Sequence, residues 1–179
     1  MQNALIIIGT VFVIAVFAVI VCRAKSQKTI IEIILFYLVS VIILTIVLRN
    51  IETESHAILD LFQKYKEIAR PIKNEIRKYG FVSGVCSGVS ITQKTITEIL
   101  LNILLFVPFG FLLPSALKSY KQWWNILLFG FLFSLVIEVL QFATHRGWFD
   151  VSDLMHNTFG SGIGYLVYRN CISVRREKH

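Results

Sequence analysis

The chain has 179 residues, of which 55% are apolar, and its mean hydropathy is +0.68. A soluble domain is rarely so apolar, so the composition excludes that class and indicates one compact membrane-embedded helical bundle. The formal net charge is +7, but the basic residues lie beside apolar runs and form no single patch, which argues against nucleic-acid binding.

Apolar runs along the chain predict an all-α, polytopic membrane bundle of about five transmembrane helices. About 20 residues of helix cross a ~30 Å hydrocarbon core, and these runs are close to that length. They must be helical, because backbone groups find no water in lipid. The predicted spans are residues 3–21, 30–48, 98–117, 124–143 and 154–170.

Basic residues in the short loops predict the orientation of the bundle. Residues 22–29, residues 118–123 and the tail after the last span carry lysines and arginines, and such loops face the cytoplasm. No basic residue precedes the first run, so we interpret it as an uncleaved anchor and not as a signal peptide. The prediction is a multi-pass cell-membrane protein with its N-terminus outside and its C-terminus in the cytoplasm.

The segment 49–97 is extracellular in this arrangement. Over residues 56–79 apolar side chains recur every three or four positions, with lysines and arginines between them. This pattern predicts a basic amphipathic helical segment, which Pro71 is expected to divide into two short helices. It either lies in the membrane interface or packs on the outer ends of the bundle. The glycine-rich residues 80–92 are predicted to form a loop that can dip into the membrane.

Polar side chains gather at the outer ends of the last three predicted spans. Asn102, Glu138 and Asn157 lie about 5–8 Å inside the outer boundary, at ~1.5 Å of rise per residue. Glu98 shares the helix face of Asn102. Charged groups inside a span usually face the bundle or a wet cavity and mark function, so we predict a polar pocket open to the outer leaflet. Its candidate binding residues are Asn102, Glu138, Gln141, Arg146, Asp150, Asp153 and Asn157, and Glu138 is also the candidate catalytic residue.

Each of these residues also has a purely structural explanation. Amide side chains join helices by hydrogen bonds in membranes, and Arg146 can pair with Asp150 or Asp153. Asp153 can cap the last helix, because it directly precedes the apolar run. The two aspartates could bind a divalent metal with His145 or His156, but their spacing matches no strong metal signature. The three cysteines show no zinc spacing either, so we expect no metal and no other cofactor.

Four further residues are expected to shape the helices. Pro108, with Gly110 beside it, removes a helix hydrogen bond and is expected to kink the third span. Gly160 and Gly164 form a GxxxG pair, which lets another helix approach closely. We expect that pair to serve helix packing within this chain more than dimerisation.

The second half of the chain resembles the VanZ-like membrane protein family. The resemblance lies in the stretches NILLFVPFGFLLP (102–114), IEVLQ (137–141) and RGWFDVSDLMHNTFGSGIGY (146–165). The first half matches only in its pattern of two spans followed by a longer extracellular connection. The family's shared positions correspond to Asn102, Pro108, Gly110, Glu138, Gln141, Arg146, Asp150, Asp153, Asn157 and Gly160.

The resemblance implies a role in the bacterial cell envelope, since some VanZ-like proteins are linked to resistance to teicoplanin and related lipoglycopeptides. We interpret the chain as a non-enzymatic protein that binds an amphiphile among the membrane lipids. The ligand would be a lipoglycopeptide tail, an undecaprenyl-linked precursor or an anionic phospholipid, and Arg146 would contact an anionic head group. Two alternatives stay open: a small membrane enzyme with Glu138 as general acid or base, and a helix-packing partner without a ligand.

Overall fold

A computed structural model describes residues 27–47, 56–116 and 122–176 of the chain. Over these residues the chain forms six helices and one two-stranded parallel sheet, so the all-α class is confirmed. The predicted first span, 3–21, lies outside the described residues. The elements in chain order are α1 (Gln27–Val47), β1 (Ala57–Ile58), α2 (Gln63–Tyr79), α3 (Phe81–Ile91), α4 (Gln93–Ala116), α5 (Trp123–Ala143), β2 (Phe149–Asp150) and α6 (Val151–Arg176).

Two of the described helices, α4 and α5, are long and apolar enough to cross a membrane. They cover the predicted third and fourth spans, and α4 begins five residues earlier than predicted. Helices also form where the second and fifth spans were predicted, as α1 and α6. The count of five spans and the side of the membrane that each end faces stay predictions.

The close approach of α4 and α6 depends on glycines. A Cβ atom on Gly160 or Gly164 would collide with the backbone carbonyl oxygens of Ile103 or Val107 in α4, and one on Gly110 would collide with the backbone of Ser161. Only hydrogen fits at these three positions. The GxxxG pair therefore lies against α4 of the same chain, where it allows this close approach.

Helix α1 packs against the two apolar helices, α4 and α5. The buried Tyr37 hydroxyl donates a hydrogen bond to the carbonyl oxygen of Leu105 in α4. Helix α4 continues as one helix through both Pro108 and Pro114. The shared core consists of Tyr37, Val41, Phe106, Phe109, Leu113, Ile126 and Ile137.

The segment after α1 forms a helical hairpin and differs from its prediction in two ways. Helix α2 continues through Pro71, so the predicted division into two helices is wrong. Residues 81–91 form α3, so the predicted loop at 80–92 is also wrong. The glycines Gly84 and Gly88 lie directly against the backbone of α2. Packing of the two helices therefore outweighs both the helix-breaking proline and the low helix propensity of glycine.

Replacing Gly160 with alanine tests the packing of α4 against α6. The added methyl group would push the Ile103 carbonyl away, which we expect to lower the free energy of unfolding by about 1–3 kcal/mol. Gly162→Ala in the same helix is the control, because its methyl group would meet only the flexible end of Leu127, at 3.3 Å. Chemical unfolding in detergent micelles measures both variants. Equal losses in the two would contradict the glycine contact.

Candidate functional site

The polar cluster is built where α5 turns into α6. The backbone N–H of Asp150 donates to Glu138 Oε2 at 3.0 Å, which ties the turn to the end of α5. Asp150 Oδ1 accepts a hydrogen bond from the Ser152 N–H at 2.8 Å and so caps the N-terminus of α6. The structural alternative in which Asp153 caps the helix does not hold, because the helix begins three residues before the apolar run and Asp153 lies in its first turn.

A second segment covers this end of the bundle, and we call residues 56–79 the cover. Its strand β1 pairs with β2, so that Ala57 lies opposite Phe149 and Ile58 opposite Asp150. The Ser152 hydroxyl then donates to the carbonyl oxygen of Leu61 at 3.1 Å. These contacts fix the start of α2 directly over the turn between α5 and α6.

Lys64 of the cover is the cation of the site. Its ammonium group lies 3.1 Å from Asp150 Oδ2 and pairs with Asp153 as well, and the residue is only 9% exposed. Burial alone lowers the pKa of Lys64, but the charges and hydrogen bonds of Asp153 and Asp150 outweigh that effect and raise the pKa above its ordinary value. Lys64 therefore remains charged at neutral pH between the two carboxylates.

Lys64 is not among the site residues predicted from the sequence. In the sequence it is one of several lysines and arginines at the polar positions of an amphipathic helix. Lys66, two residues later, has the same charge and a similar sequence context, yet it lies on the surface and pairs with the exposed Asp60 at 2.6 Å. Only the packing of the cover on α6 separates the two lysines.

Three buried side chains of α5 and α6 each keep one polar atom without a hydrogen bond to the rest of the described chain: Gln141 Oε1, His156 Nδ1 and Asn157 Oδ1. The other ring nitrogen of His156 lies 2.9 Å from the Tyr65 hydroxyl, and the Asn157 amide donates to Ser134 Oγ at 2.8 Å. His156 Nδ1 is 3.8 Å from Asp153 Oδ1, which is too long for a hydrogen bond. An unpaired buried polar atom costs about 1–3 kcal/mol, so three together call for an explanation.

Five of the predicted binding residues are buried at this end of the bundle, and the other two, Asn102 and Arg146, are half-buried. Asn102 is half-buried on α4 and adds no hydrogen bond to the cluster among the described residues. Arg146 is half-buried in the turn, where its backbone N–H donates to the Gln141 carbonyl at 3.0 Å. Glu98 lies near the exposed Lys94 at 3.9 Å and not in the cluster. The buried five are Glu138, Gln141, Asp150, Asp153 and Asn157.

The described part of the chain holds no group of three or more His, Cys, Asp or Glu side chains placed to bind a metal. His145 is exposed in the turn, where it has a positive φ of 53°. The ammonium group of Lys64 occupies the position between the two aspartates where a bound cation would otherwise neutralise them.

The sequence matches the VanZ/LLP1 family over residues 30–173. The chain belongs to this family. No curated protein and no solved structure matches the chain. The family match extends from α1 through the cover to α6, whereas the resemblance seen in the sequence rested mainly on the second half. Membership of the VanZ/LLP1 family and the two apolar helices together indicate a membrane protein.

Replacing Lys64 with methionine tests the buried ion pairs. The substitution leaves two buried carboxylates without their cation, which we expect to lower the free energy of unfolding by about 3–5 kcal/mol. Lys66→Met is the matched control, because it removes a cation from the same helix at an exposed position, where ion pairs contribute little. Unfolding in detergent measures both. A small effect at Lys64, equal to that at Lys66, would show that the ion pairs do not hold the cover.

The raised pKa of Lys64 sets a pH range for this contribution. A lysine whose pKa is higher in the folded state adds to the free energy of unfolding. This contribution is fully present below the unfolded pKa of about 10.4 and is lost as the pH rises through the folded pKa. The difference in unfolding free energy between the wild type and Lys64→Met should therefore be flat from about pH 8 to 10 and shrink above that range. A decline that starts near pH 8 would mean that Lys64 is not held charged.

Proposed function

We propose that this VanZ/LLP1-family protein binds the polar head group of an amphiphile at the covered end of its helix bundle. It does so as a non-enzymatic protein of the bacterial cell envelope. The observation that supports this proposal is the group of three unpaired polar atoms on Gln141, His156 and Asn157, whose side chains are 1%, 4% and 4% exposed. Native proteins seldom leave such atoms unpaired unless a partner outside the chain satisfies them.

The chemistry of these atoms selects the kind of head group. The amide oxygens of Gln141 and Asn157 only accept hydrogen bonds, and the His156 nitrogen can accept one. A head group that donates hydrogen bonds, through hydroxyl, amide or ammonium groups, would pair with all three. Half-buried Arg146, in the adjoining turn, would contact an anionic part of the same head group.

The surroundings of the site favour a ligand with an apolar tail. On α5, Val139 and Phe142 are exposed and adjoin Glu138 and Gln141 in the sequence. On α6, Met155 and Phe159 are exposed close to His156 and Asn157 in the sequence. An acyl or prenyl chain could lie along these apolar faces while its head group reaches the polar cluster. A lipoglycopeptide, an undecaprenyl-linked precursor and an anionic phospholipid all have this form.

The predicted orientation gives the site its proposed role in the envelope. With the N-terminus outside and the C-terminus in the cytoplasm, the covered end of the bundle lies at the outer leaflet. A lipoglycopeptide bound there would be kept from its target. A lipid-linked precursor bound there would be inaccessible to the lipoglycopeptide. Of the seven binding residues predicted from the sequence, Gln141, Asn157 and Arg146 contact the head group in this proposal, together with His156. Lys64 neutralises Asp150 and Asp153 beside them.

The contacts of Glu138 favour binding over catalysis. Its Oε2 atom already accepts the backbone N–H of Asp150, and the residue is 2% exposed. A general acid or base must instead reach the proton that it transfers. We therefore assign Glu138 the role of positioning the turn that carries Asp150 and Asp153.

The substitution Gln141→Met separates a ligand site from a packing contact. It removes the unpaired oxygen at nearly constant volume, so the free energy of unfolding should stay equal or rise. Purified full-length protein in micelles is titrated with teicoplanin, undecaprenyl phosphate or phosphatidylglycerol. At least one of these should stabilise the wild type, by about 2.7 kcal/mol at a concentration 100 times its dissociation constant.

Gln141→Met should weaken that ligand's affinity by about tenfold, as expected for the loss of one buried hydrogen bond. The neighbouring Leu140→Met, which exchanges one apolar side chain for another, should leave both stability and affinity unchanged. A Gln141→Met protein that responds to the ligand as strongly as the wild type would contradict the proposal. Stabilisation of the wild type by none of the three amphiphiles would contradict it as well.

A further inference from the structure

Helix α3 presents two chemically different sides beyond its contact with α2. Its eleven residues include no charged side chain. Gly84 and Gly88 face α2. At 3.6 residues per turn, four of the apolar residues and the three serines fall on different sides of the remaining surface, and the exposed Ile91, at the end of the helix, lies between the serines and the glycines. The apolar side carries Phe81, Val82, Val85 and Val89, and the other side carries Ser83, Ser87 and Ser90.

The apolar side of α3 is exposed. Phe81 and Val82 are each 74% exposed, and Val89 is 43% exposed. On the serine side, Ser83 and Ser90 are exposed, and Ser87 donates a hydrogen bond to Glu75 of α2 at 2.8 Å. Exposed apolar side chains gathered on one side of a helix indicate a surface that something apolar covers.

The path of the chain identifies what covers it. Helix α3 ends at Ile91 and α4, one of the two candidate membrane helices, begins at Gln93. The single residue between them, Thr92, is buried, and its hydroxyl donates to the Gly88 carbonyl at 2.9 Å. Such a short, bonded connection keeps α3 at the level where α4 enters the membrane.

The residues at the ends of α3 suit the same location. Lys78 precedes the helix and Lys94 follows it, and both are exposed. Tyr79 is exposed beside the turn at Gly80. Lysines and tyrosines at the ends of apolar segments typically place their polar groups at the lipid head groups.

We propose that α3 lies in the membrane interface. Its apolar side enters the boundary between head groups and acyl chains, and its serine side faces water. The partner is the lipid surface around α4. Because α3 is packed on α2, this contact also holds the cover, and with it Lys64, over the polar cluster. The proposal requires no ligand at that cluster.

A matched pair of cysteine substitutions tests it. Cys22, Cys86 and Cys171 are replaced by serine in the full-length chain, and a single cysteine is then placed by Val89→Cys or Ser90→Cys. Both positions are exposed in the structure and lie at the same level along α3, so the substitutions should not disturb folding. Each protein is labelled with an environment-sensitive fluorophore and placed in phospholipid nanodiscs.

The label at position 89 should be blue-shifted, strongly quenched by a lipid with a nitroxide near its head group, and quenched about five-fold less by aqueous iodide than the label at 90. Equal iodide quenching at both positions would place the apolar side in water and overturn the proposal. Equal protection of both from iodide would place the whole helix inside the membrane and overturn it as well. Labels at Val82→Cys and Ser83→Cys repeat the comparison at the other end of α3.

Discussion

The ion pairs of Lys64 with Asp150 and Asp153 are the interaction on which the site depends. Two carboxylates at the start of α6, with Glu138 close by, would carry a heavy desolvation cost if they were covered without a cation. The ammonium group of Lys64 on α2 neutralises Asp150 and Asp153, so the cover can bury these carboxylates. Residues distant in sequence, in the cover and at the start of α6, are thereby joined in one buried network.

The rest of the fold positions the residues of that network relative to one another. Glycines let α4 and α6 approach closely, and the bond from the Asp150 N–H to Glu138 fixes the turn between α5 and α6. The parallel pairing of β1 with β2 then places the start of α2. Asp150 and Asp153 are paired with Lys64 and Glu138 accepts a backbone N–H in this arrangement, whereas one polar atom each of Gln141, His156 and Asn157 has no hydrogen bond within the described chain. A polar region whose charges are paired but whose neutral acceptors are open is suited to a head group that donates hydrogen bonds.

Part of this arrangement could be predicted from the sequence. The long apolar runs predicted α4 and α5, because an apolar segment of that length has few other stable forms. Polar residues inside such runs predicted the buried positions of Glu138, Gln141 and Asn157. The GxxxG pair predicted a close helix contact, since small residues have little other use on a helix face. These features depend on local composition and spacing, which a sequence displays directly.

Other features depend on tertiary contacts that the sequence does not display. The burial of Lys64 and the exposure of Lys66 depend on which side of α2 meets α6. The glycines of α3 are typical of a loop, and they are helical here only because α2 packs against them. The cap falls on Asp150 and not on Asp153 because α6 begins before its apolar run. In each case a partner distant in the sequence decides between two local possibilities.

An experimental density map of the full-length protein in lipid nanodiscs tests the central claim most directly. The account predicts that Lys64 lies between Asp150 and Asp153, with density from a bound amphiphile within hydrogen-bond distance of the free atoms of Gln141, His156 and Asn157. A map in which those three atoms are paired with protein atoms or with ordered water alone would contradict the account.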